Sequence, residues 1–174
     1  MFLASTSFAV ELEENQLSTE YYLSYDLDNQ RILHSSNIDE NISPASLTKL
    51  MTALLLYENS NLSDIVKISY PENYIFEGKV AYLEEDSQAS VEQLLEFLLV
   101  YSANDAAYIT AEYISGNTDD FVELMNRRAI QLNMNNTSFK NPDGLDETGH
   151  FTTLNDLLSL SIYILENTKL IDIT

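Results

Sequence analysis

The chain has no cysteine. It therefore has no disulfide framework, no thiolate nucleophile and no cysteine-ligated metal. Its two histidines, His34 and His150, are too few for a multi-histidine metal site, and no cofactor is implied. Basic residues are scarce: 8 Lys and Arg stand against 28 Asp and Glu, a formal net charge of -20. Nucleic acid is not an expected partner, because phosphate recognition needs clustered Lys and Arg. An anionic membrane surface is disfavoured for the same reason. The plainer reading of the charge is a solvated acidic surface. Only 4 glycines are present, and no Gly-rich phosphate loop. No run approaches the roughly 20 apolar residues that span a bilayer. Internal repeats, low-complexity stretches and Pro- or Ser-rich linkers are missing too, which argues against a second domain.

What is present is a 174-residue chain with 45% hydrophobic residues, enough for one globular domain with a real core. The opening "MFLASTSFAV" is apolar and ends in the small-x-small pattern Ser7-Phe8-Ala9. Residues 1–9 read as a signal-peptide remnant, with an ordinary disordered terminus as the alternative; residues 10–174 read as the folded domain. "EYYLSYD", then "LDNQ", then "RILHS" predict a β-hairpin. Helices are predicted after it. In residues 44–58, Leu47, Leu50, Met51, Leu54 and Leu55 fall on one face, with Ser43 as N-cap and Pro44 as first helical residue. Residues 62–89 read as irregular, with a short strand in "VKIS". "SVEQLLEFLLVY" opens on a capping-box spacing, and "NDAAYITAEYISG" stops at Gly116. "DDFVELMNRRAIQLN" puts Phe121, Leu124, Met125, Ala129 and Leu132 on one side, and a last helix starts at Thr153 and Asp156.

Two short patterns carry chemistry. Ser46 and Lys49 are three apart in a helix and so share a face. A serine hydroxyl is a poor nucleophile until a base takes its proton. A neutral lysine amine can do that, and burial or a helix N-terminus disfavours the ammonium. The plainer alternative is a surface serine beside a snorkelling lysine. The second pattern is "YSANDAA", where Ser102 and Asn104 stand at a break between helices. A hydroxyl there can relay a proton, and an amide can hold a substrate carbonyl or amide; helix capping is the alternative. "EED" (84–86) and "DD" (119–120) read as solvated faces or helix starts.

S-x-x-K with S-D-N and K-T-G is the signature of the penicillin-binding proteins and class A β-lactamases, and "SLTK" and "SAN" resemble its first two elements. The wording around both elements, "PASLTKLMTALLLYE", "LLVYSANDAAYITAEYISG", "FVELMNRRAIQLNMNNTSFKNPDGLDETGHF" and "TTLNDLLSLSIYIL", resembles the D-alanyl-D-alanine carboxypeptidases of low molecular mass, over roughly residues 18–170. The resemblance implies an α/β (α+β) fold of the penicillin-binding-protein/β-lactamase-like transpeptidase type. It implies a serine peptidase trimming peptidoglycan stem peptides that end in D-Ala-D-Ala, exported to the cell envelope. By that pattern Ser46 would be acylated, Lys49 would be its base, Ser102 would pass a proton to the leaving group, and Asn104 would hold the substrate amide. β-Lactams would acylate the same serine. No K-T-G follows, so the C-terminal sheet strands would be missing, the catalytic domain would be incomplete and the chain itself would show low or no activity. A membrane contact would come only through a missing anchor. His150, in "GLDETGH", is expected to shape its loop by a hydrogen bond. The alternatives are a class A-like β-lactamase and a non-catalytic peptidoglycan- or β-lactam-binding module.

Overall fold

The computed structural model describes residues 17–173; the signal-like residues 1–9 lie outside them. The chain divides into two compact units, Met1–Ile38 and Asp39–Thr174. The first contains the expected hairpin. Strand β1 (Tyr22–Asp26) pairs antiparallel with β2 (Arg31–Ser36). Asp26 builds the turn by accepting from the backbone N–H of Asn29 at 3.1 Å and from its side-chain amide at 2.7 Å. These bonds hold the Asp26 carboxyl below its ordinary range. Ser24 faces His34 while Tyr25 faces Ile32, so Leu33 is the extra residue of a β-bulge.

The second unit is built around helix α1 (Thr48–Asn59), whose Met51, Ala53, Leu54, Leu55 and Leu56 are at most 1% exposed. A helix apolar nearly all round belongs in a core. It packs against α2 (Val91–Glu96), α3 (Asn104–Ser115), α4 (Thr118–Gln131) and α5 (Leu154–Asn167). Its start corrects the expectation of a helix from Pro44. Ala45–Leu47 form a 3-10 turn, and α-geometry begins only at Thr48. Ser43 does not cap it, because its hydroxyl donates to Asp146 at 2.6 Å. Leu47, placed on the apolar face by periodicity, is 50% exposed, because it belongs to the turn and not to the helical stripe.

The stretch read as irregular holds a second small sheet. β3 (Ile65–Lys67) pairs antiparallel with β4 (Gln88–Ser90), which buries Val66 against Ala89. Ser90 ends β4 and caps α2. Its Oγ accepts from Gln93 N–H at 3.1 Å while Gln93 Oε1 accepts from Ser90 N–H at 2.9 Å. The helix expected to run on through Tyr101 changes to a π turn over Phe97–Tyr101. α3 stops at Gly116, whose φ is +78°. Asn117 caps α4 and Thr153 caps α5. Of the predicted α4 face, Phe121, Met125 and Ala129 are buried, and Leu124 and Leu132 are partly buried. Among the described residues no helix is long and apolar enough to cross a membrane.

Candidate active site

Ser46 stands exposed in the 3-10 turn before α1. The residue before it is strained: Ala45 has φ +47°, a region that side chains other than glycine rarely occupy. The loop 141–149 packs directly against this residue. Gly144, at φ +89°, lies so close that a Cβ on it would sit 1.9 Å from the Ala45 carbonyl oxygen. Only glycine permits that approach. Strain of this kind persists where the surroundings over-determine it, most often at functional sites.

Lys49 is the second residue of α1 and only 2% exposed. Its Nζ donates to the Asp143 carbonyl at 2.6 Å. Thr52 donates to the Pro142 carbonyl at 2.6 Å, and Thr48 Oγ1 lies 3.0 Å from His150 Nε2. One face of α1 is thus stitched to the loop that supports Ser46. Burial pushes the Lys49 ammonium below its ordinary pKa. The Asp143 carboxylate works against that shift and the Lys79 ammonium works with it. Burial likewise lowers His150 and raises Asp143. His150 thus has a side-chain hydrogen bond, made to Thr48 of α1 across from its own loop.

Ser102 follows the π turn at φ +61°, ψ +39°. A π turn inside an α-helix often marks a functional site, and here it aims the residues after it into a cleft. Asn104 begins α3 and is 5% exposed. Its backbone N–H donates to the Lys79 carbonyl at 2.7 Å and its side-chain amide to the Glu77 carbonyl at 2.9 Å. Asp105, fully buried, accepts from the N–H groups of Ala81 (2.9 Å), Leu83 (3.1 Å) and Ala106 (3.1 Å). Residues 77–83 thus form a strap clamped to the start of α3. Lys79 on this strap is exposed, and its Nζ lies 4.5 Å from the centre of the Tyr101 ring.

Two clefts share the Ala45–Ser46 turn. One, of about 490 Å³, is lined by Ser46, Lys49, Ser102 and the leucines 50, 98 and 99. The other, of about 280 Å³, is lined by Ser46, Gly78, Lys79, Asn104 and the Asp143–Asp146 loop. The three residues picked from sequence alongside Ser46 therefore each line a cleft with it, although no hydrogen bond joins Ser46 to any of them among the described residues. A hydroxyl beside a buried lysine with a disfavoured ammonium, with a second hydroxyl and an amide at the rim, can perform acyl transfer. Sequence reasoning missed Lys79, Asp105, Asp143 and Gly144. Only Asp143 and Gly144 had a signal, the Asn-Pro-Asp-Gly turn. Among the described residues no group of three or more carboxylates or imidazoles is placed to hold a metal ion.

Comparison with known proteins adds the context. The family described as D-alanyl-D-alanine carboxypeptidase matches residues 8–173. The carboxypeptidase DacF of Bacillus subtilis is 36% identical over 144 residues, which cover 80% of this chain and 37% of that protein. DacA of Haemophilus influenzae is 30% identical over 95% of this chain and 46% of its own length. Among solved structures, DacD from Francisella tularensis aligns with a TM-score of 0.84 at 32% identity, over 91% of this chain and 40% of that one. Penicillin-binding protein D2 from Listeria monocytogenes, in an ampicillin-bound form, aligns with a TM-score of 0.69 at 30% identity, over 82% and 59%. The fold is the mixed α/β penicillin-binding-protein type, and the chain spans less than half the length of these curated relatives.

Proposed function

The chain belongs to the D-alanyl-D-alanine carboxypeptidase family, and on that premise we propose that it is the nucleophile-bearing part of a serine-type DD-carboxypeptidase. Its substrate is a peptidoglycan stem peptide ending in D-Ala-D-Ala, and its place is the cell envelope, after export. The class A-like β-lactamase alternative is not favoured, since the matched family is that of the carboxypeptidases. The observation that carries the reading is Lys49: buried to 2% exposure, three residues from an exposed serine, with burial working against its proton.

The steps follow from the residues. Ser46 Oγ forms a bond to the carbonyl carbon of the penultimate D-alanine as Lys49 Nζ, neutral, takes the hydroxyl proton. The Ser46 backbone N–H, one of the donors a helix start leaves free, faces the developing oxyanion. The C–N bond to the terminal D-alanine then breaks. Its amine receives a proton passed from Lys49 through Ser102, while Asn104 holds the peptide amide on the acyl side. Water, deprotonated by Lys49, hydrolyses the ester and restores the Ser46 hydroxyl. A β-lactam enters the same first step and leaves an acyl group on Ser46.

The test is labelling by a fluorescent penicillin. Ser46→Ala abolishes labelling; a mutant that labels like the parent sinks the assignment. Lys49→Ala slows acylation by roughly 10²–10⁴, the usual worth of a positioned general base. Lys49→Arg gives no rescue, because guanidinium stays protonated.

A further inference from the structure

Away from both clefts at Ser46, the segment between β3 and β4 gathers aromatic rings at the surface. Tyr70 and Tyr74 stack at 5.1 Å with their planes 8° apart. Phe76 stands nearly upright to both, at 5.2 Å and 70° to Tyr70 and at 5.0 Å and 77° to Tyr74. The tyrosines make one wall of a corner and Phe76, 46% exposed, makes the other. These three rings line a cavity of about 330 Å³ together with Glu72, Asn73 and Glu85. It shares no lining residue with the clefts at Ser46.

Main-chain bonds hold the corner. Asn73 turns the chain at φ +62°, a conformation that asparagine tolerates, and Tyr74 N–H donates to the Pro71 carbonyl at 3.0 Å. That turn returns Tyr74 to the side of Tyr70. On the other flank, Ile68 N–H donates to the Ser87 carbonyl at 2.9 Å and Asp86 N–H to the Ile68 carbonyl at 3.0 Å. These bonds tie the segment bearing Glu85 to the segment bearing Tyr70. Tyr108 of α3 packs on the Tyr74 ring at 4.9 Å.

The lining groups decide what the cavity can take. Tyr70 spends its hydroxyl on the Leu83 carbonyl at 2.6 Å, and the Tyr74 hydroxyl is buried. The tyrosines therefore offer rings, whose faces carry the negative part of the aromatic quadrupole. Glu72 and Glu85 are exposed, and neither carboxylate has a hydrogen bond or an ion pair among the described residues. Unpaired acids are ordinary in a chain of net charge -20. These two share a cavity with three rings and with no basic residue among the described ones. Lys67, which feels the Glu85 charge, is bonded to Asp86 at 2.6 Å and lies outside the lining. An anion would meet two carboxylates. A sugar would need donors, and among the lining side chains only Asn73 can still donate. A weakly hydrated cation meets ring faces and a negative field at once.

We propose that this cavity is a binding site for a quaternary ammonium group, such as the trimethylammonium head of choline. The rings of Tyr70, Tyr74 and Phe76 take its N-methyl groups, and Glu72 and Glu85 supply the negative field. Methylation suits the site, because a bare ammonium is strongly hydrated and gains no hydrogen bond from a ring face in place of its water.

The experiment is a proton NMR titration of the full chain with choline and with 3,3-dimethylbutan-1-ol, in which carbon replaces the charged nitrogen. The two have the same shape, so their affinity ratio reads the charge. Choline binds roughly three- to thirtyfold more tightly, and ring currents move its methyl protons upfield. Phe76→Leu keeps an apolar side chain without the ring; it reduces the upfield shift and lowers choline affinity roughly two- to fivefold. Glu72→Gln and Glu85→Gln each lower it roughly two- to fivefold and leave the alcohol unaffected. Methylammonium binds more weakly than choline. Equal affinities for choline and the alcohol overturn the site. So does choline binding that survives both Phe76→Leu and the double glutamate substitution, or methylammonium that binds as tightly as choline. The comparison of choline with the alcohol is made in the parent protein, so it decides even where a variant fails to fold.

Discussion

Replacing Gly144 by alanine tests whether the loop under Ser46 sets the nucleophile's position. The new Cβ would lie 1.9 Å from the Ala45 carbonyl oxygen, 2.5 Å from its carbon and 2.9 Å from Thr48 Oγ1. Ordinary contact begins at 3.4 Å, so the Ala45 carbonyl must retreat by about 1.5 Å. That group is the backbone of the turn carrying Ser46 and cannot swing aside as a flexible side chain would. A misplacement of about 1 Å can cost on the order of 10² in rate. The substitution also forces a side chain into φ +89°, worth about 1–2 kcal/mol. Gly116→Ala separates the two effects: φ is +78°, and a Cβ there meets nothing within 4 Å. It therefore loses about 1–2 kcal/mol of stability, roughly 2–8 °C in Tm, and keeps the parent rate of β-lactam acylation. Gly144→Ala loses at least as much stability and about 10² in acylation rate. Acylation of Gly144→Ala within threefold of the parent, in a folded protein, would refute the claim that this contact positions Ser46.

Two further expectations concern stability. Burial lowers the His150 pKa, so the unfolded chain binds its proton first as pH falls below the ordinary value of about 6.5. The native state then loses stability from about pH 6.5 down to the folded pKa, and above 6.5 His150 has no effect; the loss of Tm between pH 7.5 and 5.5 should be smaller in His150→Gln, and an equal loss removes His150 as the cause. Asp105→Asn turns one acceptor oxygen into a donor facing a strap N–H, which costs about 1.5–3 kcal/mol. Thermal unfolding should fall by roughly 4–10 °C, and an unchanged Tm would show that the strap is not held by that carboxylate.

The elements legible in the sequence are those whose signals are local. The Ser90–Gln93 box, the Thr153 cap with Asp156, and the Gly116 stop each lie within a few residues, and the structure keeps all three. Ser46 with Lys49 and Ser102 with Asn104 are also pairs set by spacing, and the structure lines the two clefts at the Ala45–Ser46 turn with them. What sequence missed depends on backbone groups far along the chain. Lys49 meets a carbonyl 94 residues away, and any residue type could supply it. The strap shows no periodicity, because Asn104 and Asp105 hold it through its main chain. The helix start was misread because Ser43 has a partner 103 residues distant that local capping rules do not see.

Lys49 poses a conflict between effects of different size. A helix N-terminus disfavours a cation by about 0.3–1 kcal/mol, whereas full burial of an ionisable group can shift its pKa by up to 3–5 units, at about 1.36 kcal/mol per unit. Desolvation therefore dominates, and the two nearby charges adjust it in opposite directions. The acidic limb of the pH–acylation profile should lie below the ordinary lysine value of about 10.4. Lys79→Gln removes a like charge, so the ammonium of Lys49 persists to higher pH and the limb moves up. Asp143→Asn removes an opposite charge, so the proton leaves earlier and the limb moves down; the asparagine carbonyl still accepts from Leu145 N–H, and the main-chain acceptor of Lys49 is untouched. The sign of each shift is the test, measured as the rate of penicillin acylation from pH 5 to 10 in the two variants. Shifts in the same direction, or none, would mean that a group other than Lys49 takes the Ser46 proton.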